Sequence, residues 1–396
     1  MITNPFSGNL LRNFTADYLH NTLSSYWKTA KEYNKLKTNM FVDNSFLTIT
    51  RILESKDGEV VDKEKLDKTL FNELTWVLPD NHFIYFFETD DNINRIKNVI
   101  DDKTNALDRP IHYSSTEYEE LQLVSIRQED DSLVLLFRYG FTRNEETKKT
   151  IFFIACEYNF SRKTFIIKMR DTLRSNAGKN RRSLISEIFG YVKELTPTVT
   201  YKRKAKKEIK NQIYQLFLTE TKKAEEIIQD SLPIPETTLD IDIQAFILDI
   251  LNLKSEDDLE SNLKIVKYMY FQNVAQNLNS KTFTDRYIFA FSFHDGNTTR
   301  SVTRDAKRQH IYGKKLYWNL KSLVTEDTKV DEISMYFRIN KQNYKLKPLS
   351  NNFIGLEVTI REFQGSYMVD YYNNIRRDSE RRMKSEFLLH ELEQYL

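Results

Sequence analysis

Cysteine, glycine and proline are all scarce in this chain. Its 396 residues include one cysteine, nine glycines and seven prolines. A single cysteine excludes disulfide bonds within the chain and zinc sites built from several thiolates. Cys156 lies in the apolar run IFFIACEY, and no cationic residue follows it closely, so we expect a small buried hydrophobe in a strand. The few glycines and prolines leave little room for flexible linkers.

Long apolar runs are absent as well. No segment approaches the roughly 20 apolar residues that are needed to cross a bilayer. The first residues, MITNPFSGNLLRNF, lack the uninterrupted apolar core of a secretory signal. We therefore expect a cytoplasmic protein without a membrane partner.

Common catalytic and cofactor motifs are also missing. The patterns GxGxxG, GxxxxGK[ST], HExxH and GxSxG do not occur, so nothing predicts a nucleotide cradle, and we expect no cofactor. A metal-dependent nuclease needs carboxylates beside a lysine. Asp80, Glu88, Asp90 and Asp91 flank one predicted strand, but the Glu88-Thr-Asp90 segment lacks that lysine. A nuclease whose carboxylates are not yet placed remains an alternative.

Charge, by contrast, is plentiful and unevenly distributed along the chain. The net charge is only +2, from 59 Lys+Arg and 57 Asp+Glu. Residues 162–210 contain 15 basic and four acidic side chains, whereas residues 54–131 contain 20 acidic and nine basic ones. Such blocks indicate an anionic partner, another subunit, or docking of one block on the other.

Apolar periodicity predicts an α+β fold. Four β-rich runs between Leu121 and Arg170, separated by short polar turns, predict an antiparallel β-meander. Residues 9–37 have helical apolar spacing, and residues 82–88, HFIYFFE, are typical of a buried strand. Residues 46–53, FLTITRIL, are rich in β-branched side chains and favour another strand.

Basic helices are predicted to follow the meander, and a second mixed α/β region follows them. One helix ends before Pro197, and a longer one starts near Thr200 and stops at Pro233 and Pro235. Further strands are predicted at YIFAFSF, SMYFRIN, YKLKP and FIGLEVTI, before a C-terminal helix. The predicted domains are an N-terminal α+β domain over 1–175, a basic helical connector over 176–235 and a C-terminal mixed α/β domain over 236–396.

Clustered cations are the candidate functional residues, because binding a phosphate backbone requires many cationic donors on one surface. The predicted nucleic-acid contacts are Lys179, Arg181, Arg182, Lys202, Arg203, Lys204, Lys206, Lys207, Lys210, Arg304, Lys307 and Arg308. If a helix starts near Thr200, Lys202, Arg203 and Lys204 oppose its macrodipole, and a docked anion would relieve that conflict. Solvated or internally paired charges are the alternative.

Aromatic residues interleave with these cations. They are Tyr201, Tyr214, Tyr287, Tyr312, Tyr317 and Trp318. Exposed rings would stack on the bases of a single strand, whereas buried rings would belong to the core.

The sequence thus predicts a protein that binds DNA or RNA through the phosphate backbone. It would act without catalysis, as one component of a larger assembly. A role in prokaryotic host defence or mobile-element biology is an interpretation from composition and from the lack of recognisable motifs. A metal-dependent nuclease and a self-associating scaffold are the alternatives, and a protein partner or a homo-oligomer fits the charge pattern.

Overall fold

The structure is a computed structural model, and its elements make an α+β protein. It describes residues 6–42, 44–114, 121–145, 148–233, 236–251, 256–278, 282–295, 299–327, 330–340, 352–372 and 377–395. Thirteen α-helices and eleven strands lie in these ranges, and the strand pairs are antiparallel. The predicted fold class is therefore confirmed.

The chain divides into two compact units. The first comprises Met1–Arg203 and Ile375–Arg381, and the second comprises Lys204–Asn374 and Arg382–Leu396. The division thus lies between Arg203 and Lys204, within the segment 176–235 that we assigned to a connector. The three-part domain scheme stays a prediction.

Eight helices of the first unit lie in the described residues. They are α1 (Gly8–Leu11), α2 (Ala16–Ser24), α3 (Ala30–Asn39), α4 (Ser45–Glu54), α5 (Lys63–Asn72), α6 (Ile93–Thr104), α7 (Asp171–Asn176) and α8 (Arg181–Leu195). The predicted helix over residues 9–37 is thus three shorter helices. Ser7, Thr15 and Thr29 begin them, because each side chain accepts a hydrogen bond from a backbone N–H of the first turn.

The strand predicted over FLTITRIL was wrong, because these residues lie in helix α4. The Asn44 side chain accepts hydrogen bonds from the backbone N–H groups of Phe46 and Leu47, which starts the helix. Ile49, Ile52 and Leu53 then fall on one buried face. N-capping and burial at helical spacing therefore outweigh the β propensity of the branched side chains.

The sheet of the first unit confirms the predicted meander. Its strands are β1 (Asn81–Glu88), β2 (Leu121–Glu129), β3 (Ser132–Glu145), β4 (Lys148–Asn159), β5 (Thr164–Met169) and β6 (Thr200–Lys202). They lie in the order β2-β3-β4-β5-β1, and β6 also pairs with β1. Cys156 is central and fully buried, facing Leu135 on β3 and Ile167 on β5.

Apolar side chains cover both faces of this sheet. On one face, Leu136 and Phe153 join a core with the N-terminal helices. On the other face, the Tyr85 ring meets the Phe189 ring of α8 edge to face, with centroids 4.7 Å apart. The alternation along each strand therefore separates two cores.

In the second unit, helices pack against one face of the antiparallel strands. Its elements are α9 (Lys206–Gln229), α10 (Glu236–Leu251), α11 (Glu256–Asn277), β7 (Arg286–Asp295), β8 (Thr299–Arg304), α12 (Lys315–Asp327), β9 (Glu332–Asn340), β10 (Phe353–Phe363), β11 (Ser366–Tyr371) and, from Arg382 onwards, α13 (Arg381–Glu393). The strand order is β11-β10-β9-β7-β8. The Phe217 ring of α9 packs on Phe291 of β7, with centroids 4.9 Å apart.

Three of the predicted strands in this region are confirmed as β7, β9 and β10. The predicted strand YKLKP lies outside the described residues. Sequence reasoning missed β8, β11 and α12. In the described part of the chain, none of the helices combines the length and the apolar character of a membrane span.

Candidate nucleic-acid interface

The first predicted cluster lies around the start of α8. The Lys179 ammonium is 4.3 Å from the centroid of the Tyr139 ring, which makes a cation–π contact. The Arg181 guanidinium pairs with Asp171, at 2.7 Å between Nη2 and Oδ2. Arg182 is exposed, and its guanidinium has no carboxylate partner among the described residues. Among the described residues, Arg182 is therefore the cation of this cluster most available to an external anion.

Asp171 holds two arginines at once. Its Oδ1 atom lies 2.6 Å from Nε of Arg174, while Arg181 approaches from the other side. Burial alone would raise the pKa of Asp171, but the two guanidinium groups outweigh burial and lower it below its ordinary value. Arg181 is thus committed to an internal carboxylate, which makes it a weaker phosphate contact than Arg182.

The second predicted cluster does not begin a helix near Thr200, so that prediction was wrong. Residues 200–202 form strand β6, and helix α9 begins at Lys206. The Tyr201 ring packs against the rings of Phe165 and Phe189, with centroids 5.1 and 5.3 Å away, and its hydroxyl lies 2.8 Å from the Thr196 hydroxyl. Packing of the Tyr201 ring therefore keeps residues 200–202 extended, although the sequence predicted that a helix starts there.

Two cations of this cluster belong to the first unit. Lys202 Nζ lies 2.9 Å from Glu88 Oε2, and both side chains are mostly exposed. The Arg203 guanidinium is 5.1 Å from the centroid of the Phe189 ring. Exposed ion pairs contribute about 0–1 kcal/mol, so Lys202 can exchange Glu88 for a phosphate at small cost.

Four cations of the cluster belong to the second unit. Lys204 pairs with Glu208 at 3.2 Å, and Lys210 pairs with Asp331. Lys206 and Lys207 are exposed, and neither has a carboxylate partner within the described ranges. These two lysines are therefore the cations of the cluster most available to an external anion.

Lys206 and Lys207 also occupy the first two positions of α9. Ala205 precedes them and supplies no side-chain hydrogen bond to the first turn. Cations at this end oppose the helix macrodipole, while the uncapped backbone N–H groups favour an anion. A phosphate docked here would interact with both the lysines and the N–H groups.

Arg304, Lys307 and Arg308 form the third predicted cluster, at the end of β8 and in the turn after it. The Arg304 and Arg308 guanidinium groups lie 5.8 and 4.5 Å from the centroid of the Tyr372 ring. Arg304 also donates a hydrogen bond to the Tyr372 hydroxyl, and Arg308 pairs with Glu357. Lys307 is exposed and has no carboxylate partner in the described part of the chain.

This turn is fixed by one carboxylate. Asp305 Oδ1 accepts hydrogen bonds from the backbone N–H groups of Lys307 and Gln309, at 2.9 and 3.0 Å. Burial would raise the pKa of Asp305, but these donors and the Lys314 ammonium together lower it. These hydrogen bonds therefore hold the backbone that carries Lys307 and Arg308.

The twelve predicted cations thus fall into two groups. Those paired with a carboxylate are Arg181, Lys202, Lys204, Lys210 and Arg308. Those without a carboxylate partner among the described residues are Lys179, Arg182, Arg203, Lys206, Lys207, Arg304 and Lys307. The set is divided between the two units. Its convergence on one face stays a prediction.

The third cluster lies on the sheet face opposite the helices of the second unit. Residues that pair across strands share a face. Arg304 pairs with Ala290, Ala290 with Ser334, and Ser334 with Thr359, which places this row of β8, β7, β9 and β10 on one side. The neighbouring row contains Ile288, Met335 and Val358, which are fully buried on the other side.

Aromatic rings share this face with the arginines. Tyr287 on β7 and Tyr336 on β9 are register partners, and their rings stack with centroids 4.8 Å apart and planes inclined by 17°. Phe353 on β10 is 44% exposed, and the Arg338 guanidinium lies 3.8 Å from its centroid. We name the set Tyr287, Tyr336, Phe353, Tyr372, Arg304, Arg308 and Arg338 the arginine–aromatic face.

Gly355 makes room for the tyrosine stack. It pairs with Arg338 on the neighbouring strand and is exposed. A Cβ atom at this position would lie 3.0 Å from Cε2 of Tyr336, closer than ordinary van der Waals contact. The missing side chain therefore lets the Tyr336 ring lie against the backbone of β10.

The tyrosines of the stack are neutral near pH 7. Burial, with Tyr336, Glu357 and Asp305 nearby, raises the pKa of Tyr287 to about 12. The Tyr287 hydroxyl donates a hydrogen bond to the Arg308 carbonyl, at 3.2 Å. The rings therefore offer uncharged aromatic surface beside cationic groups.

Most aromatics singled out in the sequence belong to the core instead. Tyr214, Tyr312, Tyr317 and Trp318 are buried, whereas Tyr287 is partly exposed. Sequence reasoning missed Tyr336, Phe353 and Tyr372. The alternation in SMYFRIN was the available signal, because it places Tyr336 and Arg338 on one face of a strand.

Three of the four carboxylates considered for a metal nuclease, Asp80, Glu88 and Asp91, have other partners. Asp80 accepts a hydrogen bond from the backbone N–H of Asp171, at 2.9 Å, and Asp91 pairs with Arg95 at 2.8 Å. Burial raises the pKa of Asp80 despite nearby Arg381 and Arg170. No group of three or more His, Cys, Asp or Glu side chains in the described residues is arranged to hold a metal ion.

The chain matches no protein-family model and no curated protein sequence.

Proposed function

We propose that this protein binds nucleic acid through the phosphate backbone, without enzymatic activity of its own, as a component of a larger assembly. The observation that carries the proposal is the set of exposed cations without a carboxylate partner among the described residues. Arg182, Lys206, Lys207 and Lys307 are its clearest members. Phosphate contacts of this kind give affinity that is independent of sequence and falls with salt.

Lys206 and Lys207 provide the sharpest test. Replacing both with Glu changes the net charge by four and puts acidic residues in the first turn of α9, where they favour the helix. The double variant Lys206→Glu/Lys207→Glu should therefore fold. It should bind labelled random-sequence DNA and RNA more weakly than the wild type, by a similar factor for every sequence.

A matched control separates the effect of net charge from the effect of the positions of Lys206 and Lys207. Lys31 and Lys35 are exposed on α3 and lie one turn apart. The variant Lys31→Glu/Lys35→Glu changes the charge by the same amount and should bind nearly as tightly as the wild type. Equal weakening of both variants would reduce the proposal to non-specific attraction, and unchanged binding by both would remove its main support.

We propose self-association as a second candidate, because large apolar side chains are exposed on α10 and on the adjacent α11. Ile241, Phe246, Ile265 and Met269 are between 47% and 66% exposed. Exposed apolar patches of this kind mark interaction sites. The occupant that we propose for this patch is a second copy of the chain.

Helix α10 carries four acidic residues and no basic one, and α11 carries four acidic residues together with Lys264 and Lys267. Lys267 pairs with Asp240 within the chain, at 3.0 Å. In a two-fold arrangement, the exposed apolar side chains of one copy would cover those of the other. Light scattering should then give a dimer mass that Ile241→Glu/Met269→Glu lowers to a monomer. A monomeric wild type at high concentration would overturn this candidate.

A further inference from the structure

We propose that the arginine–aromatic face of the second unit holds single-stranded nucleic acid, with bases stacked on its rings. This inference rests on the proposed function and names its substrate class. It is carried by the Tyr287–Tyr336 stack, by Phe353 and Tyr372, and by the arginines against those rings.

The aromatic rings of the site favour a single strand over a duplex. In a duplex the faces of the bases are stacked on one another, whereas an unpaired strand can turn its bases onto protein rings. Here the rings belong to an antiparallel sheet, on which Phe353 is 44% exposed and Tyr287 and Tyr336 are partly exposed. These rings are therefore accessible to unpaired bases.

The rings occupy different positions on the face. Tyr336 pairs with Glu357, and Phe353 lies four residues earlier on the same strand β10. Because a strand rises about 3.4 Å per residue, these two register positions are roughly 14 Å apart along the strand. The Tyr336 ring itself leans towards Gly355, which lies between them. Tyr287 extends the platform onto β7.

The charges on this face are partly compensated, which sets the expected salt dependence. Glu357 pairs with Arg308, and Asp285 lies 3.4 Å from Arg338. Arg304 has no carboxylate partner within the described ranges. Stacking should therefore supply most of the affinity of this face, while the exposed lysines elsewhere supply most of the salt-dependent attraction.

The decisive variant replaces the two stacked tyrosines with leucine, which keeps apolar side chains there but removes the aromatic rings. Tyr287→Leu/Tyr336→Leu should weaken binding of labelled oligouridine and oligothymidine by about tenfold or more, since stacking on aromatic side chains stabilises each base appreciably. Binding of a random-sequence duplex should stay unchanged. The control Tyr191→Leu alters a partly exposed tyrosine on α8 and should change neither. The oligouridine and oligothymidine arms show whether RNA or DNA is preferred.

Crosslinking tests the same face without a variant. Ultraviolet irradiation of the wild type with a 5-bromouridine strand should attach it to peptides that contain Tyr287, Tyr336, Phe353 or Tyr372. Attachment only to other peptides, or full single-strand affinity in the folded leucine variant, would overturn the inference. If Lys206→Glu/Lys207→Glu still weakens duplex binding in that case, the proposed function survives. If the wild type binds neither strand form, both fail.

Discussion

The Tyr287 and Tyr336 rings stack across two neighbouring strands, with their planes inclined by only 17°. Gly355 on the next strand leaves the space that the Tyr336 ring occupies. The stack therefore depends on the glycine at residue 355, since a side chain there would push the Tyr336 ring away.

Replacing Gly355 with alanine should therefore disturb the stack. The new Cβ would crowd Tyr336 and lower the free energy of unfolding by roughly 1 kcal/mol. Single-strand binding should weaken while duplex binding holds. Gly190→Ala is the matched control, because no atom outside its own helix and chain neighbours lies within 4 Å of a Cβ there. That change should stabilise helix α8 slightly. Fluorescence anisotropy and urea unfolding measure both effects.

The first unit contains a buried ion pair, and loss of one partner should lower the free energy of unfolding strongly. Lys168 Nζ lies 2.7 Å from Glu157 Oε2 and 3.2 Å from the Trp76 ring centroid, and both charged side chains are almost fully buried. Lys168→Met leaves Glu157 charged in the core, so urea unfolding should show a loss of about 3–5 kcal/mol. The double variant Lys168→Met/Glu157→Leu should recover most of it. A single variant as stable as wild type would contradict this account.

Stability should also fall in mild acid because of buried histidines. Burial, with a smaller effect from Lys37, lowers the pKa of His20 from 6.5 to about 4. Between these values the unfolded chain binds a proton that the folded chain excludes, so this contribution is complete above pH 6.5 and is lost as the pH falls towards 4. His20 Nδ1 lies 2.6 Å from the Tyr33 hydroxyl.

The variant His20→Gln isolates that contribution. It should be less stable than the wild type at pH 7, and the difference should shrink as the pH falls from 6.5 to 4. Urea unfolding across this range measures it, with the exposed His390→Gln as control. A difference that does not change with pH would refute the assignment to His20.

Local patterns predicted the elements whose neighbours in space are also neighbours in sequence. The meander from Leu121 to Arg170 is one example, because each strand pairs with the next. The strand at Thr200–Lys202 was missed because it depends on distant β1 and on burial of the Tyr201 ring.

The candidate site was only partly predictable for the same reason. Basic composition identified Arg304, Lys307 and Arg308. It could not place two of them against Tyr372, which lies more than 60 residues later and reaches them only through the order of the strands. Pairing of Tyr287 with Tyr336 likewise depends on register between β7 and β9, which includes a bulge.

The salt dependence of binding to random-sequence duplex tests the central claim most directly. The logarithm of the wild-type association constant should fall linearly with the logarithm of salt concentration. The slope should flatten by about 1.8 in Lys206→Glu/Lys207→Glu, since each lost phosphate contact removes about 0.9. The Lys31→Glu/Lys35→Glu control should keep the wild-type slope. A wild type that does not bind at low salt, or a slope that is the same in all three proteins, would contradict binding through these lysines.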